Sequence, residues 1–246
     1  MNLSDASPSN PHISFTGDVT SHPYAQSILD AFNKSLKNHT KLSRRIIKME
    51  GMSGKKYRYM INNLINEISN PRYLEIGSWK GSTACSAMYK NKGKVLCIDN
   101  WTGFGGPKLE FLANINSCIS KSKDIEFSHL ANNCEDVDFE KIGKFNVYFY
   151  DGAHDEKSQK SAIIMAQKAL EDEFILVIDD WNHPHPRNGT ISAINNLNLK
   201  VLFSLEIRTT GDNSYPAEPD GSHPLSPLHL QNSDWHNGYF IAVMGK

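Results

Sequence analysis

The chain has 246 residues, with 26 Lys and Arg against 27 Asp and Glu and a net charge of −1. That balance excludes a global basic field for nucleic acid or an anionic membrane; no apolar run approaches the roughly 20 residues of a membrane span, and the start lacks the apolar core of a signal peptide. Cys85, Cys97, Cys118 and Cys134 form no C-x-x-C pair, so they read as core thiols in a reducing compartment, and a cytoplasmic location is expected.

Residues 1–23 are polar and carry Pro8, Pro11 and Pro23. They read as a flexible arm, or as one that orders over a ligand. Residues 24–70 read as a helical cover. Ile28, Leu29, Phe32 and Leu36 share one helical face, and a second short helix falls at 42–49. Tyr57, Met60, Ile61, Leu64, Ile65 and Ile68 mark a third, capped by Ser53 and stopped before Pro71. Gly51-Met52-Ser53-Gly54 is either a plain helix–helix turn or a lid. These helices are expected to cover a sheet edge or the mouth of a site.

From residue 71 to 246 strands and helices alternate. Strands are expected at 73–76, 94–98, 125–130, 145–150, 174–178, 201–207 and 239–244. This pattern predicts an α/β domain with a doubly wound, mostly parallel, seven-stranded sheet. Residues 208–238 are long, polar and proline-bearing, which fits a substrate-covering insertion.

The stretch Tyr73-Leu74-Glu75-Ile76-Gly77-Ser78-Trp79-Lys80-Gly81-Ser82-Thr83 reads as strand, turn and helix start. Gly77 and Gly81 suit a sharp turn lying close to a ligand, and Ser82 or Thr83 can cap the helix. Such a junction aims backbone N–H groups into the crevice at the strand ends. It is not a phosphate loop, because Lys80-Gly81-Ser82 has the order wrong, and the dinucleotide pattern lacks its third glycine. Asp99 follows about 20 residues beyond the turn, where an acid can hold two ribose hydroxyls. Acids at both strand ends, with no base set for phosphate, suit a nucleoside without phosphate. The next loop, Asn100-Trp101-Thr102-Gly103-Phe104-Gly105-Gly106-Pro107, either cradles a flat ring or folds under its own aromatics.

Further on, Asp151 and the pair Asp179-Asp180 end neighbouring predicted strands. Carboxylates so close repel one another unless a cation neutralises them. Hard oxygen ligands suit Mg²⁺, with Mn²⁺ or Ca²⁺ next. The alternative is that Asp179 caps the following helix while Asp180 meets Arg187. His154, His183 and His185 lie beside these acids, and a neutral imidazole can serve as a base. His154 and His183 lead, with His185 behind; His154 could instead brace Asp151 by a hydrogen bond.

Glu75-Ile-Gly77-Ser-Trp-Lys-Gly81 followed by Cys97-Ile-Asp99 resembles motifs I and II of class I S-adenosylmethionine-dependent methyltransferases. The resemblance runs from about residue 73 to the C-terminus, and it implies the Rossmann-like methyltransferase fold. In that family the glycine loop lies under the methionine part of the cofactor and the second acid grips the ribose. Carried to this chain, the cofactor contacts are Glu75, Gly77, Ser78, Gly81, Ser82, Asp99, Asn100, Trp101 and Asp151. The turn holding Asn132 and Asn133 stands where the family reads the adenine amine, unless it is a plain turn. The motif begins with Glu where Asp is commoner and lacks the middle glycine.

Asp151-Gly-Ala-His154 and Ile178-Asp179-Asp180-Trp181 resemble the metal-site motifs of the macrocin-type small-molecule O-methyltransferases, which modify sugars and natural products. The resemblance implies that Asp151, Asp179 and Asp180 hold a divalent metal that binds the acceptor hydroxyl and lowers its pKa, while a base takes the proton. Several relatives carry Asp-Gly-Asp, whose second acid is the proposed base. Here that position is Ala153, so His154 or His183 takes the role or the metal suffices. The expected activity is O-methylation of a small-molecule hydroxyl, with no nucleic acid or membrane partner and a homo-oligomer left open. Alternatives are a metal-independent methyltransferase with a His base and a nucleoside-binding module that has lost its chemistry. A nicotinamide dehydrogenase is more distant.

Overall fold

The computed structural model describes residues 11–122, 124–213 and 234–246. Its elements in order are β1 (His12–Gly17), α1 (Pro23–Leu36), α2 (Arg44–Ile47), α3 (Lys55–Glu67), β2 (Arg72–Ile76), α4 (Ser82–Met88), β3 (Lys92–Ile98), α5 (Lys108–Ile119), β4 (Asp124–Leu130), β5 (Phe145–Tyr150), α6 (Glu156–Ala166), β6 (Leu170–Ile178), α7 (Pro184–Asn196), β7 (Lys200–Arg208) and β8 (Tyr239–Gly245). Residues 1–10 and most of the expected insertion, 214–233, lie outside the described residues. No described helix is long and apolar enough to cross a membrane.

The sheet has eight strands in the order β1-β7-β8-β6-β5-β2-β3-β4. Strands β2 to β6 pair in parallel, while β8 runs antiparallel between β6 and β7. The eighth strand is the correction to the expected seven. Residues 12–17, expected within a flexible arm, pair antiparallel with β7 from His12↔Arg208 to Gly17↔Phe203. The signal was the alternation Ile13, Phe15 against Ser14, Thr16, which puts both apolar side chains on one face. Phe15 packs edge-on to Phe32 of α1, with centroids 5.8 Å apart.

Alternate strand residues feed two cores. Tyr73, Val147, Phe149, Ile175 and Val177 face α1, α3 and α4, and Leu74, Tyr148, Tyr150, Leu176 and Ile178 face α6 and α7. Strands buried on both faces are continuous apolar runs, which is why β5 and the end of β6 are readable as strands. Helices α1 and α3 of the expected cover share one face of the sheet with α4 and α5. Helix α3 starts later than expected. Ser53 does not cap it; Gly54 holds that position, and the Asp234 carbonyl accepts the Lys56 N–H at 2.8 Å. In contrast α6 has a side-chain cap, Asp155 accepting the Ser158 N–H at 3.0 Å.

Strand order reverses at β2. The chain steps outward through β3 and β4, then returns to lay β5 on the other side of β2. Connections after β2 and β5 leave toward opposite faces, and this opens a crevice at their carboxyl ends.

Candidate active site

The cleft over the ends of β2 and β5 encloses about 660 Å³. Its floor is the turn after β2. Gly77 has φ +88°, and its N–H donates to the Ile98 carbonyl at 3.0 Å. A Cβ here would stand 1.9 Å from the Asp151 carbonyl oxygen, an approach that only glycine permits. Gly77, Ser78 and Ser82 line the cleft. Gly81 does not: at φ +82° it caps α4 itself, in place of Ser82 or Thr83, and its Cβ position faces Phe111 at 3.0 Å.

Glu75 also departs from the expected cofactor set. It is fully buried beneath the turn, where Oε2 accepts the Tyr73 hydroxyl at 2.6 Å and Oε1 accepts the Thr83 hydroxyl at 2.9 Å. Burial pushes its carboxyl up to about 7, against the pull of those hydrogen bonds. Its role is to tie β2 to α4 from below.

Asp99 lines the cleft. Its Oδ2 accepts the Trp79 N–H at 2.8 Å and its Oδ1 the Trp101 N–H at 2.6 Å. Each carboxylate oxygen keeps a second lone pair, so Asp99 can still accept hydroxyls from the cleft. Trp101 is a correction: it is 6% exposed, packs 4.7 Å from Phe111 and donates its indole N–H to the Trp79 carbonyl at 2.8 Å. Of the two rings in that loop, the one that lines the cleft is Phe104, 64% exposed. Asn100, Asn132 and Asn133 form the polar end, with Asn100 Nδ2 donating to Asn133 Oδ1 at 2.8 Å.

Asp151, Asp179 and Asp180 line the opposite end of the same cleft, with His154. His154 Nε2 bridges two of them, 3.6 Å from Asp151 Oδ1 and 3.5 Å from Asp180 Oδ2. Burial, then the charges of Asp179 and Asp180, push the Asp151 carboxyl well above its ordinary range. Burial would raise Asp180 too, but His154, His236 and the Asn237 amide hold it below its usual value. His183 stands at the cap of α7 in place of Asp179, and Arg187 Nη1 donates to the Trp181 and Asn182 carbonyls rather than to Asp180. His183 is half-buried outside the cleft lining, where burial depresses its imidazolium, and His185 is exposed in the first turn of α7.

Sequence reasoning missed His236. Its Nδ1 lies 3.8 Å from Asp179 Oδ2 and 3.8 Å from Asp180 Oδ1. Burial works against its imidazolium, yet the two acids outweigh it and raise the ring above its ordinary value. One ligand atom each from Asp179, Asp180 and His236 lies within 4.8 Å of the others, whereas Asp151 stands outside that cluster. Asp179 Oδ1 is buried without a hydrogen-bond partner among the described residues. This donor set can hold a cation.

The segment at 51–54, expected as a turn or a lid, is fastened to the helices around it. Arg58, 2% exposed on α3, donates from Nη1 to the carbonyls of Ile46, Ile47 and Met49 and from Nη2 to that of Gly51, while Nε donates to the Ser53 hydroxyl. The segment so fastened puts Met52 in the cleft wall and Ser53 Oγ 3.4 Å from Ser82 Oγ. Lys80 pins it from outside, 2.9 Å from Glu50.

Residues 74–181 match a protein-family model described as a methyltransferase domain. No curated protein matches the chain. Among solved structures, a candidate RNA methyltransferase from Pyrococcus horikoshii superposes with a TM-score of 0.50 at 9% identity, over 88% of this chain and 96% of that one. The O-methyltransferase TomG from Streptomyces achromogenes, involved in tomaymycin synthesis and solved with S-adenosylmethionine, gives 0.49 at 13% identity, over 92% and 91%. An O-methyltransferase from Bacillus cereus, solved with S-adenosylhomocysteine, gives 0.49 at 13% identity, over 90% and 91%. At 9% identity the first of these shows a likeness of fold alone.

Proposed function

We propose that the chain is a class I S-adenosylmethionine-dependent methyltransferase, a reading supported by the methyltransferase-domain match over residues 74–181, and that it transfers the methyl group to a hydroxyl oxygen of a small molecule such as a sugar or natural product. Asp99 and the Gly77 turn hold the nucleoside and methionine ends of the cofactor, with Asn132 and Asn133 at the adenine. The acceptor hydroxyl enters beside Asp151, Asp179 and Asp180. His154 takes its proton as the oxygen–carbon bond forms and the carbon–sulfur bond breaks, leaving S-adenosylhomocysteine. The sulfonium is already reactive, so alignment of the oxygen supplies much of the acceleration.

The observation that carries this reading is one cleft with a ribose-type acid at one end and, at the other, an imidazole 3.6 Å and 3.5 Å from two carboxylates. The orphaned Asp179 Oδ1 fits a divalent cation held by the acid pair, with Asp151 beside it, and such a cation, when bound, would lower the pKa of the acceptor hydroxyl. Mg²⁺ is the first choice for an all-oxygen set. A cytoplasmic location belongs to the same reading, since all four cysteines are free thiols.

Calorimetry with S-adenosylhomocysteine tests the proposal; absence of binding at high micromolar ligand removes it. Replacing Asp179 and Asp180 together by Asn should abolish metal dependence, and full activity of that double variant in EDTA would exclude the metal role. A metal-free variant of the reading has one observation in its favour, His236 packed between the two acids. Activity of the wild-type protein unchanged by EDTA would select it.

A further inference from the structure

The turn that carries His236 is fixed in place from several sides. The Thr209 hydroxyl donates to the His236 carbonyl at 2.8 Å, the Asn182 N–H to the Asn237 carbonyl at 2.8 Å, and the Trp181 N–H to the Gly238 carbonyl at 3.2 Å. Asn237 Nδ2 then donates to Asp180 Oδ1 at 2.8 Å, orienting that carboxylate. Asp180 and His236, neither a glycine, both hold left-handed backbone, at φ +56° and +48°. A fold that over-determines two such residues side by side keeps them there for a reason.

His236 Nδ1 is 3.8 Å from one oxygen of each acid. Two ligands each about 2.1 Å from one ion can stand up to about 4.2 Å apart, so the spacing admits a shared ion. Asp179, 2% exposed, faces His236 through Oδ2 and keeps a buried Oδ1 with no hydrogen-bond partner among the described residues. We propose that His236 is a nitrogen ligand to the cation at Asp179 and Asp180, which makes this a site for a borderline transition-metal ion, Mn²⁺, Fe²⁺, Co²⁺ or Zn²⁺, ahead of Mg²⁺. The inference rests on the cation reading above. Mg²⁺ keeps to oxygen donors and water, whereas imidazole suits the later ions.

The test is metal binding to the whole protein, read without turnover. Titrated separately, Co²⁺ and Mn²⁺ should bind at least about tenfold tighter than Mg²⁺. Pulsed electron paramagnetic resonance of the Mn²⁺-loaded wild-type protein should show coupling to one imidazole nitrogen. In His236→Gln that coupling disappears and Co²⁺ affinity falls at least about tenfold, while Mg²⁺ affinity moves less than about threefold. Bound Mn²⁺ without nitrogen coupling in the wild type overturns the inference, and so does coupling that survives in His236→Gln. The wild-type spectrum decides even if the variant does not fold. S-adenosylhomocysteine binding in EDTA keeps the two readings apart: protein that binds it but shows no nitrogen coupling loses only this inference, and protein that fails to bind it loses the methyl-transfer reading.

Discussion

Glu75 accepts hydrogen bonds from Tyr73 and Thr83, is fully buried, and is pushed up from 4.5 to about 7 by that burial. The folded protein therefore holds this proton more tightly than the unfolded chain does. The stabilisation is complete below about pH 4.5 and is lost as pH rises through about 7. The gap corresponds to about 3 kcal/mol. Glu75→Gln should thus match the wild type near pH 4.5 and be more stable by up to about 3 kcal/mol at pH 8, measured by urea unfolding across pH. Asp99, one strand away, ends its strand with the same charge but holds the Trp79 and Trp101 amides and faces the cleft. In Asp99→Asn an amide NH₂ replaces one acceptor, and S-adenosylhomocysteine should bind at least about tenfold more weakly, a loss of about 1.4 kcal/mol. Both acids were legible as strand ends. Their division of labour was not, although Tyr73 and Glu75, two apart on a strand, had to share a face. Trp101 escaped for a related reason: a glycine-rich loop looks like surface, and only its left-handed φ of +51° turns that ring inward.

At the scale of elements, the segment from α2 to α3 hangs on one side chain. Arg58 has no carboxylate partner in this network; its hydrogen bonds go to four carbonyls and a hydroxyl. A buried guanidinium is expensive unless its donors are met, and burial pulls its pKa down to about 10. Arg58→Lys keeps the charge but cannot reproduce the planar fork. It should weaken S-adenosylhomocysteine binding at least about tenfold by calorimetry, because Met52 and Ser53 lose their place at the cleft. Arg58→Met should also lower unfolding stability by about 3 kcal/mol, since the carbonyls it served are left buried. The helix bearing Arg58 was readable from its apolar stripe. Arg58 was not, because periodicity reports what faces the core and says nothing of a cation reaching along it.

For the whole molecule, the alternation of strand and helix was enough to read a doubly wound sheet, and the acids at strand ends were enough to locate the cleft. The alternation of β1 was local, but its partner β7, like the approach of His236 to Asp179, depends on distant stretches of chain that no local pattern carries. Ligand binding should tighten the whole fold. At a hundredfold excess over Kd, S-adenosylhomocysteine contributes about 2.7 kcal/mol and should raise Tm by roughly 5–10 °C in a thermal melt.

The place of β8 has a consequence for how activity comes into being. Pairing in chain order would set β7 beside β6, but that position is kept for β8, which also brings the 235–238 turn against the acid pair. Closing the seam in the sheet and assembling the chemistry are therefore a single event. A proline wedged into that seam, Ile241→Pro, removes a ladder donor from an interior strand; cooperative melting and affinity for S-adenosylhomocysteine should vanish together, with no variant population that is half-built yet still competent.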